Sequence, residues 1–279
     1  MKNNFLVIIT LYRKNPEASS TIVSLSKFSS AFKKNIRVLI WDNSPEELQE
    51  TQRLVLSKLL EGSVFEYIHN KGENRPLSKI YNDSINYAKA DEFVVIFDDD
   101  SVFSEEIFSV AKKAINSNPD IDLFLPIVYF KKDIVSPAYK KLFKGGFLKQ
   151  VPTGVMKCKN RTAINSGMII KSEYLKNGFP GYDERITFYG TDDDFMSRYN
   201  ETHKEFYVID YKMQHTLNFY STNEPFEKKA ARYVNQRKAL FIIMRRKGLA
   251  VYLATQIYWF LYSIKYALCQ RNAKFIFLR

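Results

Sequence analysis

Cysteine is scarce in this 279-residue chain; only Cys158 and Cys269 occur, far apart in sequence. That excludes a disulfide framework and any cysteine-rich zinc site, and it fits a reducing compartment. Histidine is nearly as rare, with His69, His203 and His215 alone, which excludes a histidine-built metal cage. There is no Gly-x-x-x-x-Gly-Lys-Ser/Thr loop, no dinucleotide glycine fingerprint and no His-Glu-x-x-His. P-loop hydrolysis, common dehydrogenase chemistry and zincin chemistry are therefore not within easy reach. The N-terminus carries one charge, enters a short apolar run ending at Thr10, and meets Arg13 and Lys14, which does not fit a secretory signal.

Acidic residues are almost missing from the C-terminal end. From Phe226 to Arg279 there are 12 Lys+Arg and one acid, Glu227, whereas the first 225 residues hold 30 basic and 29 acidic residues. Such asymmetry points to an anionic partner, either a membrane surface or nucleic acid. Gly248 to Ile264 runs 17 residues without a charge, slightly short of the roughly 20 of a spanning helix. Leu249, Leu253, Ile257, Phe260, Leu261, Ile264 and Leu268 recur at helical spacing, with aromatic rings and flanking cations that suit the headgroup layer. The expectation is an amphipathic helix on the inner membrane face. A packing helix with a solvated basic flank, or a true span, would carry the same pattern. Nucleic acid is not expected, because the aromatics cluster in an apolar block instead of alternating with cations.

With 46% hydrophobic and 26% charged residues the chain is globular. Phe5–Thr10, Ile36–Trp41, Val64–Ile68 and Phe93–Phe97 are short, mostly apolar runs expected as buried strands. Helical patterns lie between them, over Ala18–Phe32, Glu46–Leu60 and Pro76–Ala90. This alternation predicts a mostly parallel α/β sheet flanked by helices. Further on, Ser104 is placed as the N-cap of a helix reaching Asn116. Ile121–Phe130, Ala163–Ile170 and Phe206–Asp210 are expected to be extended. Lys131–Arg161 has nine Lys+Arg and one acid and is expected as a long basic loop. Phe226–Lys247 reads as a long basic helix.

Chemistry concentrates at three places. Asp98-Asp99-Asp100 follows the clearest strand, where open α/β sheets bind ligands. Three acids repel one another unless a cation neutralises them. Asp98 and Asp100 can hold one divalent ion, and oxygen ligands select Mg²⁺ or Mn²⁺. An exposed acidic turn is the plain alternative. Asp192-Asp193-Asp194, beside Phe188, Tyr189 and Phe195, could supply a carboxylate of raised proton affinity, or a surface turn. Asp42-Asn43-Ser44 at the second strand's end could accept a bond from a nucleobase or a ribose, or simply form a turn. His215 could be a metal ligand or structural; His69 and His203 read as structural.

In this order the segments resemble family 2 glycosyltransferases of the GT-A fold, over about residues 4 to 220. Val7–Tyr12 looks like the family's first strand, with Thr10 and Tyr12 near the donor and Arg13 in place of the usual asparagine. Trp41–Ser44 looks like the base-contacting segment through Asp42, and Asn70–Ser78 like the Asn-x-Gly segment, giving Asn70, Gly72 and Arg75. Phe97–Ser101 resembles the Asp-x-Asp metal motif, implying Asp98 and Asp100 as ligands and Asp98 and Asp99 as donor contacts. Asn165-Ser166-Gly167 resembles the turn near the transferred sugar. Gly190–Phe195 is similar to the region of the catalytic base, which places Asp192 in that role, with Asp193 and Asp194 as neighbouring registers. His215 falls where many members have a metal-binding histidine.

The resemblance implies an inverting, Mn²⁺- or Mg²⁺-dependent transferase that takes a nucleotide-diphosphate sugar donor. The acceptor would be a glycan or polyprenyl-linked glycan, in a rhamnosyltransferase-like member of bacterial surface polysaccharide synthesis. Residues 1–225 would be the catalytic domain, with 1–100 binding nucleotide and 101–225 binding acceptor. Residues 226–279 would hold the enzyme at the inner face of the cell membrane, facing the cytoplasm, and could also form a homodimer. The basic segment 131–161 could embrace a pyrophosphate on the acceptor. A metal-dependent phosphatase using Asp98 as nucleophile, and a non-enzymatic membrane-binding scaffold, are the rival readings.

Overall fold

The computed structural model describes residues 4–214 and 224–278. The first half alternates strand and helix: β1 (Asn4–Leu11), a 3-10 turn (Pro16–Ala18), α1 (Ser20–Ser26), α2 (Ser30–Lys33), β2 (Ile36–Asp42), α3 (Glu50–Leu59), β3 (Val64–His69), α4 (Leu77–Ile85) and β4 (Glu92–Asp98). Next come α5 (Glu106–Ser117), β5 (Leu123–Phe130), β6 (Asp133–Lys141), β7 (Lys144–Leu148), β8 (Gly154–Lys157), β9 (Arg161–Thr162) and β10 (Met168–Lys171). The chain closes with α6 (Ser172–Asn177), α7 (Thr191–Thr202), β11 (Glu205–Gln214), α8 (Phe226–Arg246), α9 (Leu249–Gln270) and α10 (Lys274–Phe277).

The central sheet runs β3-β2-β1-β4-β10-β5-β11-β8, and β6 joins β5, β7 and β9 to it. β1 to β4 are mutually parallel. Beyond β4 the sheet is mixed, because β10 enters antiparallel to both β4 and β5. The period of two explains the core. Phe5, Val7 and Ile9 of β1 join one hydrophobic cluster, while Leu6 and Ile8 join the other. Side chains from both faces are thus removed from water, as a sheet covered on both sides requires.

Three sequence expectations are corrected. The Ala18–Phe32 helix is broken at Lys27–Ser29, where Glu105 accepts bonds from the Ser29 backbone N–H (2.8 Å) and hydroxyl (3.0 Å). Ser104 is not the cap of the next helix; its N–H donates to the Tyr211 hydroxyl at 2.8 Å and the helix starts at Glu106. The basic segment 131–161 is largely β6–β9 and not a loop. Its lysines sit largely on outer positions and turns, which conceals short strands from a pattern search. Even Gly145 and Gly146 pair with Lys140 and Tyr139 in the ladder.

At the C-terminal end, Tyr233, Leu240, Ile243 and Met244 of α8 pack on Trp259 and Ala267 of α9, on Phe275 and on Ile186. α9 turns Thr255, Trp259, Ser263 and Ala267 inward. Its apolar stripe faces away from the fold, with Leu249 72%, Ile257 66% and Leu268 74% exposed. Among the described residues, no helix is long and apolar enough to cross a membrane.

Candidate active site

A cleft of about 690 Å³ opens at the carboxyl ends of β1 and β4. Thr10 and Tyr12 reach it from β1, Asp98 and Asp99 from β4, and Asp192 from the first turn of α7. The sheet therefore brings together five of the residues read as functional. Asn43, Asn74, Asn165, Tyr189 and Thr191 also line it, and α8 adds Lys228, Arg232 and Asn235.

The Asp98–Asp100 turn is charged and poorly hydrated. Burial pushes the Asp98 carboxyl up to about 7, and Asp100 and then Asp99 add to the rise while Lys14 opposes it. Burial also raises Asp99, against the Lys14 ammonium at 2.5 Å and the Tyr12 N–H at 3.3 Å. A divalent cation between Asp98 and Asp100 would relieve this repulsion, and carboxylate oxygens suit Mn²⁺ or Mg²⁺. Among the described residues no three acidic, His or Cys groups are placed to hold an ion by themselves. Two carboxylates alone would leave an ion there in need of further oxygen ligands, of the kind that phosphate and water supply. His215 lies outside the described residues.

The three acids opening α7 have different surroundings. Asp192 lines the cleft, where burial and then Asp193 push its carboxyl up to about 7. Asp193 faces away, toward Lys140, with which it forms an ion pair, and the Thr162 hydroxyl, which donates to it at 2.8 Å. Burial disfavours its charge, yet Lys140 brings its carboxyl below the usual range. Asp194 is fully buried, accepting from the Asp183 N–H (2.7 Å), from Arg198 (3.2 Å) and from Arg246 of α8. Only Asp192 of the three lines the cleft.

Asp42, Asn70, Gly72, Arg75, Asp100, Ser166 and Gly167, also read as functional, do not line the cleft. Asp42 is fully buried, and its two oxygens accept from the Tyr67 hydroxyl (2.6 Å) and the Ser44 N–H (3.0 Å). Asn70 accepts from the Trp41 indole (2.5 Å) and donates to Asn43 (2.5 Å), which in turn donates to Asn74 at 2.9 Å. Asn43 and Asn74 lie within the segments Trp41–Ser44 and Asn70–Ser78, but the amide chain that joins them is made by the fold. Arg75 pairs with Asp83 (2.6 Å) and lies over the Trp41 ring, and Gly72 sits in a left-handed turn beside Pro45. Ser166 is bonded to Ser101. Gly167 has φ +87°, and a Cβ there would lie 2.6 Å from the Pro126 ring. The α8 residues are the real omission. No local signal in a basic helix says that it folds back over a site.

Residues 6–179 match glycosyl transferase family 2. That stretch stops short of Asp192. None of the curated proteins matches the sequence. Among solved structures, residues 1–349 of TarS from S. aureus share 17% identity with the chain at a TM-score of 0.59, covering 86% of this chain and 65% of that one. The mannosyltransferase PcManGT from Pyrobaculum calidifontis, in complex with GDP-Man and Mn²⁺, shares 12% identity at 0.56, over 92% and 70%. GalNAc-T7 with UDP, GalNAc and Mn²⁺ shares 11% at 0.58, over 85% and 47%. At such identities the likeness is one of fold. The chain spans somewhat less than two thirds of the TarS fragment.

Proposed function

Because the chain belongs to glycosyl transferase family 2, we propose that it transfers a sugar from a nucleotide-diphosphate donor to a hydroxyl of a glycan or lipid-linked glycan. The observation that carries this is one cleft, at the ends of parallel strands, lined by both Asp98 and Asp192. Structures of the same fold in complex with a nucleotide or a nucleotide sugar and Mn²⁺ support it.

Asp98 and Asp100 would hold Mn²⁺ or Mg²⁺, which supplies positive charge against the departing diphosphate. Thr10, Tyr12 and Asp99 position the donor beside it, with the Asn43–Asn70–Asn74 amides, Asp42, Gly72 and Arg75 shaping the base end. Ser166 and Gly167 fix the turn near the sugar. Asp192 takes the proton of the acceptor hydroxyl, and a base whose proton affinity sits near neutrality suits that task. The oxygen then bonds to the anomeric carbon as the bond to the diphosphate breaks on the opposite face, inverting configuration. The Asp-Asn-Ser and Asn-Ser-Gly elements favour a rhamnosyltransferase-like member of bacterial surface polysaccharide synthesis.

In this reading residues 1–225 form the catalytic unit, with 1–100 serving the nucleotide and 101–225 the acceptor. Residues 226–279 hold the enzyme at the cytoplasmic face of the membrane through the exposed stripe of α9. α8 has a second task, since Lys228 and Arg232 line the cleft.

The test is donor turnover. The protein is incubated with single nucleotide sugars and Mn²⁺, and free nucleoside diphosphate is separated by chromatography. One donor should be consumed, and Asp192→Asn should stop it; consumption unaffected by Asp192→Asn would refute the assignment.

A further inference from the structure

A second hollow, of about 820 Å³, lies on the other side of α7. β6, β8 and β9 build one wall and the end of α8 another. Seven Lys and Arg side chains line it against two carboxylates, Asp193 and Glu205. Asp193 is already paired with Lys140, which leaves the other six cations facing Glu205 alone among the acids of the lining. Polar groups inside are also unmet. The Arg161 Nε, the Ser197 hydroxyl and the Asn200 Oδ1 are buried without a hydrogen-bond partner among the described residues, and Ser197 as a residue is only 8% exposed. Buried donors and acceptors of this kind are normally satisfied. A donor set of cations and Arg N–H calls for an anion, and an amide oxygen beside it calls for a hydroxyl.

The hollow is connected to the reaction centre. Asp192, in the donor cleft, and Asp193, in the basic hollow, are consecutive. Both also line a smaller pocket of about 320 Å³, walled by Lys140, Phe143, Tyr258 and Tyr262. Phe143 and Tyr258 stack there at 4.1 Å. Lys140 is shared between this aromatic pocket and the basic hollow. Flat apolar rings with a polar edge suit a sugar face, and the size is at the lower end of small-molecule sites.

We propose that the acceptor is a phosphate-bearing glycan, its accepting sugar seated in the aromatic pocket at Asp192 and its phosphate in the basic hollow beyond Lys140. This rests on the transferase reading above. It turns the basic segment into a specificity element and gives α9 a wall of the acceptor site.

The test uses inorganic pyrophosphate in EDTA, titrated calorimetrically into the full chain. Lys157→Glu/Lys159→Glu changes two exposed side chains that line the hollow, and Arg161→Ala removes a deeper one. Wild type should bind, both variants should bind at least 10-fold more weakly, and Asp98→Asn should bind as wild type does. Vesicles of phosphatidylglycerol should bind wild type and the Lys variant alike. The proposal is overturned by no binding to wild type, by equal affinity in the variants, or by loss in Asp98→Asn. It is also overturned if the Lys variant loses vesicles while soluble pyrophosphate binds neither protein, which would assign the hollow to lipid headgroups. Stabilisation by nucleoside diphosphate with Mn²⁺ is read in parallel. Its retention in a protein that ignores pyrophosphate would sink this proposal alone, and its absence would sink the transferase reading.

Discussion

Gly190 and Ala239 touch so closely that a Cβ on the glycine would lie 2.6 Å from the alanine Cβ. Gly190 holds φ +92° and stands immediately before α7, two residues from Asp192. α8 therefore sets the position of the helix that presents the proposed base. Gly190→Ala adds both backbone strain and overlap, and should cost about 2–4 kcal/mol of stability. Urea unfolding measures that loss, and donor turnover should fall with it. An unchanged midpoint would show that α8 does not clamp this turn.

The three acids of α7 should separate by phenotype. Asp192→Asn should lower kcat by about 10³-fold, within the range of general-base removal, with nucleotide binding intact. Asp193→Asn releases Lys140 and should act chiefly on KM for the acceptor. Asp194→Asn weakens a buried charge's ties to Arg198 and Arg246 and should be read as lost stability. Steady-state kinetics and thermal unfolding on the three variants check the order. A larger kcat loss in Asp193→Asn would move the base by one residue.

Arg246 ties α8 to the catalytic body through Asp183 (3.5 Å) and the fully buried Asp194. Arg246→Ala leaves Arg198 as the one guanidinium bonded directly to Asp194 among the described residues. Breaking a buried pair on one side is costly, so a loss of roughly 3 kcal/mol is expected in denaturant unfolding, less if Arg198 shifts to compensate. Arg246→Lys should recover only part, because one ammonium cannot reach both carboxylates as the guanidinium does.

Stability should fall as pH rises, in metal-free protein. Asp98 and Asp192 are each raised to about 7, against roughly 3.9 in an unfolded chain. The folded state then holds protons that the unfolded state has released. Their contribution is complete below about pH 4 and is lost as pH climbs through about 7. Asp183, held down to about 2 by Arg185, acts with the opposite sign and at lower pH. The Tm in EDTA should drop between pH 5 and pH 8, and Asp98→Asn should flatten the slope. A Tm that rises over this range would contradict the electrostatic picture.

The exposed stripe of α9 predicts vesicle binding. Replacing Leu253, Ile257, Phe260 and Leu261 by serine should abolish flotation with anionic vesicles and leave the Tm within a few degrees, since each of these side chains is about half or more exposed. Flotation retained in the variant would remove the membrane role. A change of sedimentation instead would assign the stripe to pairing of two copies.

Much of this was legible in the sequence because it is local. Phe93–Phe97 followed by three aspartates announces a buried strand that ends in a charged turn, and the structure puts both where the pattern does. The stripe at Leu249, Leu253, Ile257 and Phe260 was legible as a face, though only the fold shows that it points outward. What was hidden depends on distant partners. Glu105 breaks the first helical region through Ser29, and Tyr211 holds Ser104 off its cap. The strands within 131–161 are set by pairing with β5 and with one another, not by apolar alternation. Lys228 and Arg232 reach the cleft because α8 is held on the body by Arg246, by the Gly190–Ala239 contact, by Asn235 bonded to Thr187 and by packing on Ile186.

The most direct measurement is thermal stabilisation by UDP, GDP, TDP, CDP and ADP, each with and without Mn²⁺, in wild type and Asp100→Ala. The account predicts a metal-dependent rise in Tm for one nucleotide that disappears in Asp100→Ala. A rise that persists without metal and in the variant, or no rise for any nucleotide, would contradict a metal-assisted donor site at the end of β4.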